Sequence, residues 1–420
     1  MVKIPANIIV DLLCALFFLV SLLIGSYNGD YILVPFVVIV YHVWKTWQLR
    51  NSVELAFLLI FSLTYPLFWI ISIFLAADIH YLFSNVNNYY VSMAFSAQGL
   101  FMCCLFIGMM NKTPATIASH PCRNSATVFW VCIFSMLVLL VIAVSSIDGS
   151  IFEQSYDYEG ESSILFEYVL ILIIIAYAYS GQVRFRKNSL IIASLLFVLA
   201  PLYFGKRLPA SMIAFALLLL FWRPKNIKRV MIIFFAGFLF LSLLAVFRVG
   251  ESSQSIVQIL LNIGDEGAMR NNQGGVVYSS AAYMKLTEIG AFDIYFGLES
   301  MANVALSIFL PSSMVDQSAY INFSAMKYIP IPGNGGFPGV AFYVWGRWIG
   351  IIVMGLFFGW IMRRSHYNYM SSVYVSFMFF TFPRWMAYNV NIMFKAGVLL
   401  MIGWLLVRIV IRSSRKDEYF

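Results

Sequence analysis

The sequence predicts an all-α polytopic integral membrane protein of about twelve transmembrane helices, with a large external loop that contains short helices. Three observations carry that prediction. Of 420 residues, 61% are hydrophobic and only 11% are charged, with a mean hydropathy of +0.85, whereas a soluble domain carries about 25% charged residues. Apolar runs near the length of a membrane span recur along the whole chain, separated by polar stretches. Lys and Arg gather in alternate loops, as the positive-inside rule requires of a multi-span protein.

In chain order the runs cover residues 8–25, 31–44, 53–75, 90–110, 127–144, 164–180, 190–204, 210–222 and 230–247. Three more follow at 340–362, 371–382 and 390–411. The chain therefore divides into 1–247 with nine spans, a long polar segment at 248–339, and 340–420 with three spans and a cytoplasmic tail. Lys3 ahead of the first run gives a signal-like outline, but Ser26-Tyr27-Asn28-Gly29-Asp30 is a poor match to a small-residue cleavage site, so the run reads as a retained first span.

Numbering the loops alternately puts 17 of the 27 Lys and Arg residues on one side, together with both termini. That side is expected to be cytoplasmic. The opposite loops are acidic, most plainly at Asp148, Glu153, Asp157, Glu159 and Glu161, so the 248–339 segment is expected to be external. The net charge of +8 reflects this sorting and forms no single basic face for nucleic acid. The five cysteines (14, 103, 104, 122 and 132) show neither a disulfide framework nor zinc spacing. The four histidines are scattered, so neither a metal nor another cofactor is expected.

Ten basic residues fall outside the sorted set, and Arg408 among them is placed to snorkel to the cytoplasmic interface. Four others stand at the outer ends of spans: Lys206 and Arg207, Arg248, and Arg384. Guanidinium groups offer planar paired donors to phosphate oxygens, so such a cluster at headgroup depth suits a lipid diphosphate. Ordinary phospholipid headgroups are the alternative for any one of these residues taken alone. Arg347 lies about 12 Å into its helix at 1.5 Å per residue, where an ionisable group faces either a cavity or a partner; Glu167 and the loop carboxylates are the partner candidates.

The 248–339 segment closes with Gly333-Asn334-Gly335-Gly336-Phe337-Pro338-Gly339, a run that can bring backbone donors close to an anion or simply form a tight loop before a helix. Asn334 offers an amide to a sugar or phosphate, and Tyr343 stands among aromatics able to stack on sugar or to form an interfacial belt. Glu251 follows Arg248 closely, and Asp265 and Glu266 lie near Arg270; each acid is either a candidate general base or a member of a solvated surface pair.

In Phe204-Gly205-Lys206-Arg207 before an apolar run, Phe247-Arg248-Val249-Gly250-Glu251 opening the loop, Phe309-Leu310-Pro311-Ser312, and the glycine run leading to Trp348-Ile349-Gly350, the chain resembles the oligosaccharide repeat-unit polymerases, the Wzy or O-antigen polymerase family. The resemblance implies a GT-C-like membrane glycosyltransferase of a bacterial inner membrane, multi-pass with both termini cytoplasmic. It implies undecaprenyl-diphosphate-linked oligosaccharide as donor and acceptor, with undecaprenyl diphosphate released, and a chain-length regulator and a flippase as candidate partners. On that expectation Arg207, Arg248 and Arg384 hold the diphosphate, with Glu251 as base, while Lys206, Arg270, Asn334, Arg347 and Tyr343 contact substrate. Three alternatives stay open: an O-antigen ligase, for whose external histidine no counterpart stands between Arg248 and His366; a lipid-linked oligosaccharide flippase or exporter; and a transferase that adds single sugars.

Overall fold

The computed structural model describes residues 6–24, 32–74, 86–110, 112–146, 162–181, 183–204, 206–224, 226–249, 272–310, 314–331 and 335–416. Among the described residues the regular structure is helical, with one isolated antiparallel bridge between Asn124 and Ser180. The helices are α1 Ala6–Ile24, α2 Leu33–Gln48, α3 Val53–Phe74, α4 Asn88–Met109, α5 Ala126–Ser145, α6 Ser162–Ala178, α7 Arg184–Tyr203, α8 Arg207–Phe221 and α9 Ile227–Val249. They continue with α10 Asn272–Glu288, α11 Ile294–Leu306, α12 Ile321–Met326, α13 Pro338–Arg364, α14 Tyr369–Phe380, α15 Phe382–Trp385 and α16 Asn391–Lys416.

Each of the twelve apolar runs lies on one of these helices. Seven of the described helices are long and apolar enough to cross a membrane, among them α1, α4, α5 and α13. Large apolar side chains that stay exposed, such as Leu13 and Leu23 on α1, Phe134 and Val141 on α5, and Ile409 on α16, give these helices faces suited to lipid rather than water. The chain is a helical membrane protein.

Two compact units form. The first comprises Met1–Pro114, Lys225–Arg364 and Arg384–Asn391; the second comprises Ala115–Pro224, Ser365–Pro383 and Ile392–Phe420.

The first unit is organised around α4, which is buried along most of its length. Glycines explain how α13 lies against it. A Cβ on Gly108 would come within 2.6 Å of the Leu356 carbonyl oxygen, one on Gly355 within 2.6 Å of Cys104 Cβ, and one on Gly359 would collide with the Leu105 carbonyl. Small residues on both helices thus allow backbone-to-backbone contact, the packing that substitutes for hydrophobic driving force where lipid is the solvent. On another face of α4, Phe18 of α1 occupies the space that a side chain at Gly99 would need.

Helix α10 is the least expected element. Its sequence is rich in Gly, Ser and Tyr, yet Val276, Tyr278, Ser279, Ser280, Ala281, Ala282 and Met284 are all buried, and it packs on α4, α3 and α13. Two of its hydroxyls are bonded, Thr287 Oγ1 donating to Tyr283 O of the same helix at 2.7 Å and Ser280 Oγ accepting from Phe337 N–H at 2.8 Å.

The second unit packs α6 against α5, α8 and α14, and α7 against α8. The stretch between α4 and α5 is fastened within it: Ala115 N–H donates to Ser365 Oγ at 2.8 Å and Ile117 N–H to Ser376 Oγ at 2.7 Å.

Candidate functional site

The glycine run and the turn that carries Arg384 are neighbours in the first unit. A Cβ on Gly335 would stand 2.6 Å from the carbonyl oxygen of Ala387, three residues beyond Arg384, so only glycine permits this approach. Gly336 is equally constrained by the Tyr283 ring, 2.7 Å from its would-be Cβ, and Phe337 N–H donates to Ser280 Oγ at 2.8 Å. The run is therefore pinned to α10 on one side and to the Arg384 turn on the other. Phe337 locks the arrangement by packing edge-on against Tyr65 of α3 at 5.4 Å and against Phe95 of α4 at 5.5 Å.

Gln98, the one amide or charged residue between Tyr90 and Met110, ties both pieces to α4. Its Oε1 accepts from Gly339 N–H at 3.2 Å, and its Nε2 lies 4.0 Å from the sulfur of Met386. Arg384 itself is half-buried with its guanidinium 5.7 Å from the Tyr388 ring, and its carbonyl accepts from Tyr388 N–H and Asn389 N–H, which closes the turn. Two buried hydroxyls of α10, Ser279 Oγ and Tyr283 Oη, have no hydrogen-bond partner among the described residues. Buried polar groups without partners cost free energy, so these two hydroxyls are available to a polar ligand.

Arg347 and Tyr343 form a second cluster. Helix α13 breaks at Gly346 and Arg347, and Arg347 takes a left-handed φ of 55° that a non-glycine residue adopts only when its surroundings enforce it. The enforcement is visible: Arg347 Nη1 donates to Thr287 O at 3.4 Å and Nη2 to Phe292 O at 3.2 Å, and the guanidinium lies 5.6 Å from the Tyr343 ring. Tyr343 Oη donates to Glu288 Oε1 at 3.3 Å. The cation therefore caps the C-terminal end of α10 through carbonyls, where the helix dipole favours positive charge. The sequence suggests a carboxylate partner such as Glu167; in the structure the guanidinium bonds the backbone oxygens of Thr287 and Phe292.

Lys206 and Arg207 stand at the start of α8 in the second unit, both half-buried, with Lys206 N–H donating to Pro201 O at 2.7 Å. Arg248 lies in the last turn of α9, in the first unit, but its side chain is outside the described residues, as are Glu251, Arg270 and Asn334 entirely. Of the residues singled out in the sequence, the structure thus brings Arg347 to Tyr343, and the Arg384 turn to Gly335 of the glycine run. Gln98, Ser280 and Tyr283 were not singled out; an amide inside an apolar run was the available signal for Gln98, and hydroxyls in a polar segment gave none for the other two.

His42 is a satisfied core side chain, with Nδ1 2.8 Å from Val38 O and Nε2 3.0 Å from Ser62 Oγ. Among the described residues no group of three or more His, Cys, Asp and Glu side chains is placed to hold a metal ion. Comparison with family models, with curated proteins and with solved structures finds no match to this chain.

Proposed function

We propose that the chain is a metal-independent glycosyltransferase that polymerises undecaprenyl-diphosphate-linked oligosaccharide repeat units at the periplasmic face of a bacterial inner membrane. The observation that carries the reading is the packing of Gly335 against the turn of Arg384 and of Gly336 against Tyr283, whose hydroxyl, like that of Ser279, has no partner among the described residues. A guanidinium, a close-approaching glycine backbone and buried hydroxyls are what a sugar diphosphate requires: charge for the phosphates, room for the chain's approach, and hydrogen bonds for the sugar. The chain's resemblance to the repeat-unit polymerases, and the outer-end placement of Arg207, Arg248 and Arg384 in a twelve-span topology with both termini cytoplasmic, support the same reading. The fold in this reading is GT-C-like.

In the proposed reaction a hydroxyl of one lipid-linked oligosaccharide attacks the anomeric carbon of another. The bond between that carbon and the diphosphate oxygen breaks, and undecaprenyl diphosphate departs with the electron pair. The proton of the attacking hydroxyl passes to a carboxylate, for which Glu251 is the candidate. Arg207, Arg248 and Arg384 stabilise the charge that develops on the leaving diphosphate, an electrostatic contribution that needs no metal. Lys206, Arg270 and Asn334 contact glycan or the second diphosphate, and Arg347 with Tyr343 shapes the wall through α10 and α13. A chain-length regulator and a flippase are the proposed partners.

Purified protein in proteoliposomes with lipid-linked oligosaccharide tests this. A product ladder in steps of one repeat unit, with released undecaprenyl diphosphate, is expected, and Arg207→Ala, Arg248→Ala and Arg384→Ala are each expected to lower the rate about 100-fold or more at equal protein level. Transbilayer movement of the lipid without elongation identifies a flippase instead, and growth by single sugars identifies a monomeric transferase. An unchanged ladder in all three variants removes the arginines from the mechanism.

A further inference from the structure

The second unit contains a cluster that the polymerase reading does not use. Arg123 places its guanidinium 5.1 Å from the Tyr369 ring and 5.5 Å from the Trp404 ring. Those two rings are themselves stacked at 5.3 Å, and Tyr179 packs on Trp404 at 5.4 Å. Three polar atoms of this cluster, Tyr179 Oη, Tyr369 Oη and Trp404 Nε1, and a fourth on the residue next to Tyr179, Ser180 Oγ, are buried without a hydrogen-bond partner among the described residues. Tyr179, Ser180 and Trp404 are at most 1% exposed.

All four atoms can donate a hydrogen bond, and the indole N–H can do nothing else. A cation held between aromatic faces, with several unanswered donors beside it, lacks one complementary component, which is an acceptor carrying negative charge.

The cluster is also built rather than incidental. Arg123 N–H donates to Ala178 O at 2.7 Å and Ser125 N–H to Tyr179 O at 3.3 Å, so the loop bearing the cation is paired to the turn bearing Tyr179 and Ser180. That pairing depends on Gly181, which has a φ of +63° and leaves only 2.7 Å between a would-be Cβ and Asn124 Oδ1. Asn124 Oδ1 in turn accepts from Arg186 Nη1 at 2.8 Å. Backbone pairing, a glycine required twice over and a fixed arginine hold the donors in place before any ligand arrives.

We infer that Arg123, Tyr179, Ser180, Tyr369 and Trp404 form a binding site for a phosphate group on the arginine-rich face of the protein, the face that charge sorting assigns to the cytoplasm. A tetrahedral oxyanion has enough acceptor capacity for the guanidinium and the four donors together. The phosphate is that of an anionic lipid headgroup or a free phosphate, and the site shares no residue with the candidate site of the first unit.

The full-length protein, purified in detergent, tests the inference by thermal unfolding with three additions: phosphatidylglycerol, dioleoylglycerol as a lipid without phosphate, and inorganic phosphate. A ligand that binds the folded state raises the unfolding temperature in a saturable way. Phosphatidylglycerol is expected to do so and dioleoylglycerol not. Tyr179→Phe, which keeps the ring and removes only the hydroxyl, and Arg123→Gln are each expected to raise the half-maximal concentration about tenfold. If inorganic phosphate alone gives the same variant-sensitive shift and competes with phosphatidylglycerol, the occupant is a soluble phosphate; if it does not, the occupant is the headgroup. Absence of any phosphate-dependent shift, or shifts identical in wild type and Tyr179→Phe, overturns the site.

Discussion

Lys45 Nζ lies 2.7 Å from Asp11 Oδ2, and neither side chain has any exposed surface. The pair joins α1 to α2 inside the first unit. Tyr41 Oη donates to the other carboxylate oxygen at 2.9 Å, and the ammonium sits 4.8 Å from the Trp44 ring and 4.9 Å from the Phe106 ring of α4. Charge within an apolar interior persists only when each ion answers the other and the remaining sites are bonded, and here both conditions hold. Removing one partner strands the other. Asp11→Ala and Lys45→Met are each expected to cost about 3–5 kcal/mol, while the double variant costs less than the sum of the two. Unfolding of the purified variants in a double-mutant cycle measures the difference, and additive losses would show that the two ions do not act as a pair.

Gly359 of α13 faces the Leu105 carbonyl and Gly108 Cα of α4, the latter 2.9 Å from where a Cβ would stand. The obstruction is backbone on a rigid helix, so it cannot yield as a flexible side chain would. Gly359→Ala is expected to destabilise the first unit by about 1–3 kcal/mol, and Gly359→Leu to abolish accumulation of folded protein. Gly237, whose would-be Cβ meets nothing within 4 Å, is the control at which alanine is expected to be tolerated. The yield of monodisperse protein after extraction checks both.

The helices of the twelve apolar runs were legible because each run is bounded by polar residues, and hydropathy reads that pattern directly. What was not legible has two physical causes. Helix α10 was hidden because Ser279, Ser280 and Thr287 look like loop residues, although a small hydroxyl buries at low cost when it is bonded, as Thr287 is to the Tyr283 carbonyl and Ser280 to the Phe337 amide. The partners of Arg347 were hidden because Thr287 and Phe292 receive it through backbone oxygens, and a carbonyl leaves no trace in residue identity. The neighbours of Arg384 are likewise set by tertiary approach, with Gly335 reaching Ala387 across about 50 residues of chain. The glycine run was recognisable as a close-approach element, but what it approaches was not.

Arg347 holds a left-handed backbone conformation while its side chain bonds two carbonyls, so the two effects of replacing it can be separated. Arg347→Ala loses the bonds and keeps the strain. Arg347→Gly loses the same bonds but relieves the strain, which for such a residue is about 1–3 kcal/mol. The glycine variant is therefore expected to unfold at the higher temperature of the two, with both below wild type. Equal stabilities would mean that the φ of 55° costs nothing.

Asp316 supplies a pH-dependent contact. Its two oxygens accept from the Ser318 backbone N–H at 2.8 Å and the Ser318 hydroxyl at 2.9 Å, and these bonds hold its carboxyl below the ordinary value of 3.8. A depressed folded-state pKa contributes stability that is complete above the unfolded value and disappears as pH falls through the folded one. Protection of the Ser318 amide from hydrogen exchange is expected to be constant at neutral pH and to weaken only below about pH 4. In Asp316→Asn the same amide is expected to lose that acid dependence, and retention of the dependence would assign it to another group.

Gly335→Ala probes the candidate site without touching a charged residue. The added methyl must move either the glycine run or the Ala387 carbonyl, because they would stand 2.6 Å apart, and either shift changes how Arg384 is presented. Misplacement of a positioning element by about 1 Å costs roughly 100-fold in rate when the geometry is catalytic. The substitution is also expected to cost stability, so turnover must be compared at a temperature where variant and wild type are both folded. The expected signature is a large fall in polymerisation rate with lipid-linked substrate still bound, and a further Arg384→Ala change should add little, since both act on one arrangement. Independent, multiplying losses would place Arg384 and the glycine run in separate functions, and undiminished polymerisation by folded Gly335→Ala would remove the run from the site.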